Sequence, residues 1–432
     1  MYTSRVTTPY RYRARGTFYL IMISAFAVIA ITAVLFARGY SIDPKTGIVA
    51  KTALFVLGST PNKAEIRING VTRKETTNTR IKVPPGSYDI SVSKSGTIPY
   101  QKTVTVSSGT AILEEDILLF LKEPKVHVLS ETSSGAMALS ANSRQVFYAS
   151  SDSAGTSLWQ SQLGVGATPQ RLTVLPPDFG TMSDISVSSD ATRVAVSNGR
   201  ATLVLSSAGV QVATATLPRA VFSGTRTDTL IGRTGEQWTL VDIPSGKQTA
   251  LPTTAVAPTG SGDFVYAAVG QTISRVDVRT SAVTTLTAPG TVASLATNAA
   301  TQTVYVVTTD KQLLQIVSDT LLPIDSRVER FDPSRDDTAV VTADESELRI
   351  WRRETGKVTL VTRFSEAPSV FRVHKNGHYV YFEQRDELHA IATDGSNDVA
   401  LTSLGTRSLL TDSYSQVRLQ GARIEHVTLL EP

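Results

Sequence analysis

Residues 17–37 read TFYLIMISAFAVIAITAVLFA, without one charged side chain. At about 1.5 Å per residue a helix of this length spans about 32 Å, close to a hydrocarbon core of about 30 Å. The run predicts a single transmembrane helix. After residue 48 the pattern shifts to a period of two. Ala64, Ile66 and Ile68 share one strand face, Asn69-Gly70 signals a turn, and Tyr88, Ile90 and Val92 form a second inward series. Arg80-Ile81-Lys82-Val83 alternates too, Pro84-Pro85-Gly86 interrupts it, and the pattern resumes through residues 102–106. Residues 48–122 are therefore expected to form a small β-sandwich, with Gly70, Gly86 and Gly96 supplying positive φ at turns and Tyr88 in the core.

From about residue 123 to residue 432 the chain repeats itself. A short apolar run after a polar turn recurs at Val146, Val194, Leu230, Val265, Val304, Val340, Val380 and Val417, with gaps of 48, 36, 35, 39, 36, 40 and 37 residues. Each run is followed by a third strand, as at Leu158-Trp159 or Leu388-His389-Ala390-Ile391, and by a turn such as Thr355-Gly356 or Asp394-Gly395 into a fourth. Four short strands at a period near 40 residues predict the blades of a β-propeller. The expected fold class is thus mainly β, with eight blades favoured and a seven-blade ring with irregular ends as the alternative. The last unit stops after a third strand at residues 423–430. Residues 125–129 alternate and stand unused before the first unit, so they are expected to complete the last blade and remove its exposed edge.

Charge sets the direction of the helix. Arg11, Arg13 and Arg15 crowd its N-terminal side, whereas Arg38 is followed by Asp43 and Lys45. The positive-inside rule then keeps residues 1–16 in the cytoplasm and exports everything after a linker at residues 38–47. A cleavable signal peptide competes with this reading. Its apolar region is usually shorter, about 7–15 residues, and Leu35-Phe36-Ala37 places a large side chain where a small one is needed. The whole chain has 42 Lys+Arg against 38 Asp+Glu; without Arg5, Arg11, Arg13 and Arg15 the balance is 38 against 38. The folded part has no basic excess, and nucleic acid is not an expected partner. With no cysteine, disulfides, thiolate metal sites and a cysteine nucleophile are excluded.

The residues Pro61, Ala64, Ile66, Ile68, Gly70, Pro85, Gly86, Tyr88, Ile90, Val92 and Gly96 fall on the pattern of the PEGA family, and this part of the chain resembles those small surface-layer-type domains. Asn62-Lys63 replaces the family's Glu-Gly, and Thr97 stands where an aromatic is common; both lie in turns. The resemblance implies an extracytoplasmic spacer or adhesion module without known catalysis. The stretch ELRIWRRETGKVTLV at residues 347–361 resembles two strands of a WD40-type blade, although the Gly-His and Trp-Asp dipeptides of that family are missing.

Chemistry is sparse. His374 and His378 flank a Lys-Asn-Gly turn and not a helix, so they lack zinc-protease spacing and are expected to be solvated turn residues. Asp332, Asp336, Asp337, Asp394 and Asp398 do not have the spacing of a calcium loop and are expected to cap turn amides. No nucleophile elbow and no phosphate loop occurs. Trp159, Trp238 and Trp351 are expected to pack in third strands, and the inner strands to carry mostly Val, Ala, Ser and Thr. No catalytic residue, cofactor-binding residue or metal ligand is assigned, and no cofactor is expected. The reading is a non-enzymatic, single-pass membrane protein of the cell envelope, its propeller binding an envelope protein or glycan. The rivals are a propeller-type hydrolase or lyase acting on envelope polymers and a structural assembly role.

Overall fold

The computed structural model describes residues 10–37, 40–42, 49–153, 155–164, 166–224, 226–252, 256–411 and 413–431. Arg5, Arg38, Asp43 and Lys45 lie outside the described residues, as do the side chains of Arg11, Arg13 and Arg15. The chain divides into two compact units, residues 1–119 and 120–432.

The first unit opens with the helix Tyr10–Ala37, which starts within the stretch expected as a tail. Its segment Thr17–Leu35 has a mean hydropathy of 2.5, and none of its residues is buried. The expected linker contributes a short strand, Tyr40–Ile42, paired with Val49–Lys51. A sandwich follows. Ala53–Thr60 lies between Thr79–Val83, antiparallel to it, and Ala111–Leu118, parallel to it. The facing sheet has the order Val71–Thr76, Glu65–Ile68, Gly86–Ser93, Tyr100–Val106. Phe55, Leu57, Ile66, Ile68, Ile90 and Val92 fill the space between the two sheets, each contributing roughly 1.5–3 kcal/mol by leaving water.

Several turn expectations are corrected here. Gly70 and Gly96 do have positive φ (77° and 79°), but Gly86 does not; a Cβ there would lie 3.6 Å from the Tyr88 ring. Tyr88 is half-buried at the margin of the core, edge-on to Phe55, and its hydroxyl donates to Pro84 O at 2.8 Å. Thr97 is buried and holds its turn by donating to Lys94 O (2.9 Å) and accepting Lys94 N–H (3.1 Å).

In the second unit the described residues form eight four-stranded antiparallel sheets. We number them in order: the first runs from Met137–Leu139 to Gln170–Val174, and the seventh from Phe371–Val373 to Val399–Ser403. The eighth joins the two ends of the unit. Arg407–Leu410, Ser415–Gln420 and Arg423–Thr428 are completed by Lys125–Ser130, which pairs antiparallel with Arg423–Thr428. All eight repeat markers lie in second strands.

The packing explains why those strands read as apolar runs and not as alternations: each is covered on both faces. Val194 and Val196 enter the core between the first and second sheets, whereas Ala195, between them in sequence, enters the core between the second and third. Val340 likewise packs toward the fifth sheet, and Ala339 and Val341 toward the seventh. The eighth sheet shares a core with the first through Val417, Ile424, Val146 and Tyr148, so the ring is closed. Trp159, Trp238 and Trp351 do stand in third strands, part-buried.

Candidate functional site

First strands touch between the first and second, second and third, fourth and fifth, and sixth and seventh sheets, which places these strands on the inside of the ring. In four of the eight sheets a capping residue follows the first strand and holds the turn into the second. Ser140, Ser188 and Ser334 accept the amides of Gln145, Arg193 and Ala339 at 3.0, 2.9 and 3.0 Å and donate to Asn142, Asp190 and Asp336, each at 2.8 Å. His374 holds the same place in the seventh sheet, with Nδ1 2.7 Å from Asn376 Oδ1. Asp336 and Asp394 cap turn amides, of Thr338 (3.1 Å) and Ser396 (3.0 Å). Burial opposes ionisation of Asp336, but hydrogen bonds from Thr338 and Ser334 outweigh it and hold the carboxyl below its usual value.

Counting back from the capping residue exposes a lattice between sheets. The side chain two positions earlier reaches the next sheet: Ser186 Oγ accepts Phe222 N–H at 3.2 Å, Asp332 Oδ2 accepts Val373 N–H at 2.8 Å, and the hydroxyls of Thr259 and Thr297 meet at 2.8 Å. Four positions earlier, Arg330 Nη1 donates to Ser369 O (2.6 Å) and Pro368 O (3.1 Å), and Arg407 Nη1 donates to Gly135 O (2.8 Å) across the point of closure. At the same level Arg219 Nε meets Asp184 Oδ2 at 2.6 Å. Arg372 Nη1 completes the set, 3.2 Å from Asp332 Oδ1.

These inner-strand charges correct the expectation of a Val, Ala, Ser and Thr lining. Around Arg330 and Asp332 a cavity of about 510 Å³ opens between the fifth, sixth and seventh sheets, with Phe331, Phe371 and Tyr305 in its wall and Glu329 and Ser294 at its rim. It can offer a ligand two part-buried aromatic faces beside fixed charges.

The other acidic residues have separate roles. Asp337, 1% exposed, takes hydrogen bonds from Tyr305 (2.8 Å), Asn298, Thr301 and Thr303, all in the fifth sheet or its turn. Asp398 pairs with His389 Nδ1 at 2.9 Å. Among the described residues no group of three His, Asp or Glu side chains gathers as metal ligands would.

His374 was expected in solvent and is buried, 1% exposed, against Tyr381 and Tyr414, whereas His378 is exposed. Burial lowers its pKa to about 4, with Lys375 and His378 adding repulsion. The sequence signal for both it and the inner charges is the column itself: once Ser140, Ser188, Ser334 and His374 are aligned, the positions two and four before them fall on one strand face.

Residues 52–113 match the family model of the PEGA domain. Among solved structures, the C-terminal WD40 domain of Sif2 is 10% identical, with a TM-score of 0.51 over 71% of this chain and 98% of that one. BamB from Moraxella catarrhalis (13% identity, TM-score 0.49, 70% of this chain and 98% of that chain) and Saccharomyces cerevisiae Sqt1 (10%, 0.49, 71% and 98%) are also similar. The likeness to the Sif2 domain is one of fold, and the second unit is a β-propeller of WD40-like type. No curated protein matches the chain.

Proposed function

We propose that this chain is a single-pass membrane protein of the cell envelope whose PEGA domain and propeller lie outside the cytoplasm, and that the propeller binds an envelope protein or glycan without turning it over. One observation carries the reading: Asp184, Arg330, Asp332, Arg372 and Arg407 on the inner strands are each bonded to a neighbouring sheet. A carboxylate that already accepts Val373 N–H and faces the Arg372 guanidinium is held in one position, which suits a fixed recognition surface. The neutral balance of the chain after its first residues adds that attraction to a polyanion is weak.

The test uses the full chain in lipid nanodiscs with a photo-crosslinking residue at Ser369 or Val283 in the propeller or, for comparison, at Lys74 in the PEGA domain. Envelope extract should yield a protein or glycan adduct from the propeller positions, with little change when salt is raised from 50 to about 300 mM. No adduct from either propeller position would sink the reading. Hydrolysis of an envelope glycan or peptide, abolished by one Asp, Glu or His substitution, would transfer the protein to the enzyme class.

A further inference from the structure

Outer strands of a propeller present unpaired backbone groups to solvent, and such edges are normally protected. Six of the eight outer strands here carry a register irregularity against their neighbour. A seventh, Gln248–Ala250, is three residues long. Val283–Thr287 differs: it pairs residue for residue with the third strand Thr272–Asp277, and contains no charge and no proline.

Ala288 N–H bonds Gln271 O, and Ala282 O receives Asp277 N–H. The period of two therefore turns the N–H and C=O groups of Val283, Thr285 and Thr287 outward. Beside this edge lies an open cavity of about 710 Å³ whose floor includes Leu286, Leu314 and Leu321. Its acidic residue, Asp319, is neutralised by an ion pair with Arg275.

We propose that this edge accepts an extended segment of a partner protein as a fifth strand of the fourth sheet. The segment is uncharged over about five residues, and its alternate side chains are aliphatic and enter the cavity beside Leu286. Charge and area select this occupant. The edge carries no charge to attract an ionic segment, and five residues span only about 17 Å. A second folded copy meeting one such edge would bury less than the roughly 1,200 Å² that stable interfaces need. Its own Leu286 is, besides, engaged with the core of its own sheet pair. The inference rests on the reading of the propeller as an interaction module and assigns the surface that reading uses.

The probe is a fluorescein-labelled, capped heptapeptide of alternating threonine and valine, with an analogue N-methylated at alternate residues, titrated against the full chain in nanodiscs. The parent peptide should bind, and the analogue should not. Thr285→Pro removes an outward N–H at a position where an edge strand tolerates proline, and should weaken binding at least about tenfold with an unchanged melting temperature. Thr285→Val should bind within about twofold of wild type; Thr285→Lys, which leaves the backbone alone, should weaken binding if the proline variant melts early.

The proposal is overturned if no parent peptide binds, if the N-methylated analogue binds equally, or if well-folded Thr285→Pro and Thr285→Lys both bind like wild type. A wild-type dimer in ultracentrifugation that Thr285→Pro dissociates would assign the edge to a second copy instead. Crosslinked envelope partners from Ser369 with no peptide binding would end this inference and leave the functional reading standing. Loss of all propeller crosslinks would end that reading.

Discussion

His127 lies directly across from His426 on the strand pair that joins the two ends of the propeller. His127 is exposed and His426 buried, and the buried ring has its pKa lowered to about 4 by burial first and the nearby His127 second. The pairing means that the first strand of the unit is held by its last, and that each of the eight sheets among the described residues has four strands.

Closure should be a large part of the unit's stability. Leu129 is buried in the core shared by the eighth and first sheets, and its carbonyl accepts the Tyr148 hydroxyl at 2.9 Å. Leu129→Ala should cost about 2–4 kcal/mol and Tyr148→Phe about 1–2 kcal/mol. Deleting residues 125–130 should abolish the cooperative melt followed by tryptophan fluorescence of the full chain. A deletion variant that melts like the parent would show that the ring is held by other contacts.

Asp337 ties the sixth sheet to the fifth. Its carboxylate has four donors, and its φ of 57° is one that Asp and Asn tolerate better than Ala. Asp337→Ala should therefore cost more than about 3 kcal/mol in urea unfolding, by leaving the Tyr305 hydroxyl without an acceptor and Asn298 Nδ2 with Ser334 O alone. Asp337→Asn should cost only about 1–2 kcal/mol, because the hydroxyls of Thr301 and Thr303 can rotate to accept from the new amide. Equal losses for the two variants would contradict this account.

The repeat, the helix and the PEGA-like strands were legible because each is written in hydrophobic period alone. Val194 through Val196 reads as a buried strand whatever surrounds it. The inner strands were not legible in the same way. Arg330-Phe331-Asp332-Pro333 and Phe371-Arg372-Val373 are too short and polar to show a period, and their bonds run to the next sheet, about 40 residues away in sequence. His374 failed for the same reason. Its turn is visible in Lys375-Asn376-Gly377, but its cover is Tyr414, contributed by the following sheet.

Membrane orientation can be read with the cysteines the chain lacks. Single substitutions Ser4→Cys and Ser207→Cys, the latter at an exposed position, give a label on each side of the helix. In intact cells a membrane-impermeant maleimide should modify only the Ser207→Cys protein, while both react after lysis. Changing Arg11, Arg13 and Arg15 to Glu should reverse or reduce that asymmetry. Labelling of the Ser4→Cys protein from outside would refute the assigned direction, and failure to recover the N-terminal peptide from the mature chain would favour a cleaved signal.

Acid should weaken the propeller before its carboxylates titrate. His374 and His426 are buried; both pKa values are lowered from 6.5 to about 4, by burial first. Between those values the unfolded chain binds a proton that the folded chain refuses, so stability rises with pH there. It is fully present above about pH 6.5 and falls as pH drops toward 4, by roughly 1.5 kcal/mol per histidine between pH 6.5 and 5. His374→Ser places in the seventh sheet the residue that Ser140, Ser188 and Ser334 supply in theirs. The variant will lose ring packing against Tyr381 and Tyr414, so its stability at pH 7.5 should be lower. Its dependence on pH should nevertheless be shallower, by about half for the two histidines together. Urea unfolding of wild type, His374→Ser and the double variant with His426→Gln at pH 7.5, 6.5, 5.8 and 5.0 measures the slopes. Parallel slopes for all three proteins would mean that neither imidazole is held neutral by the fold.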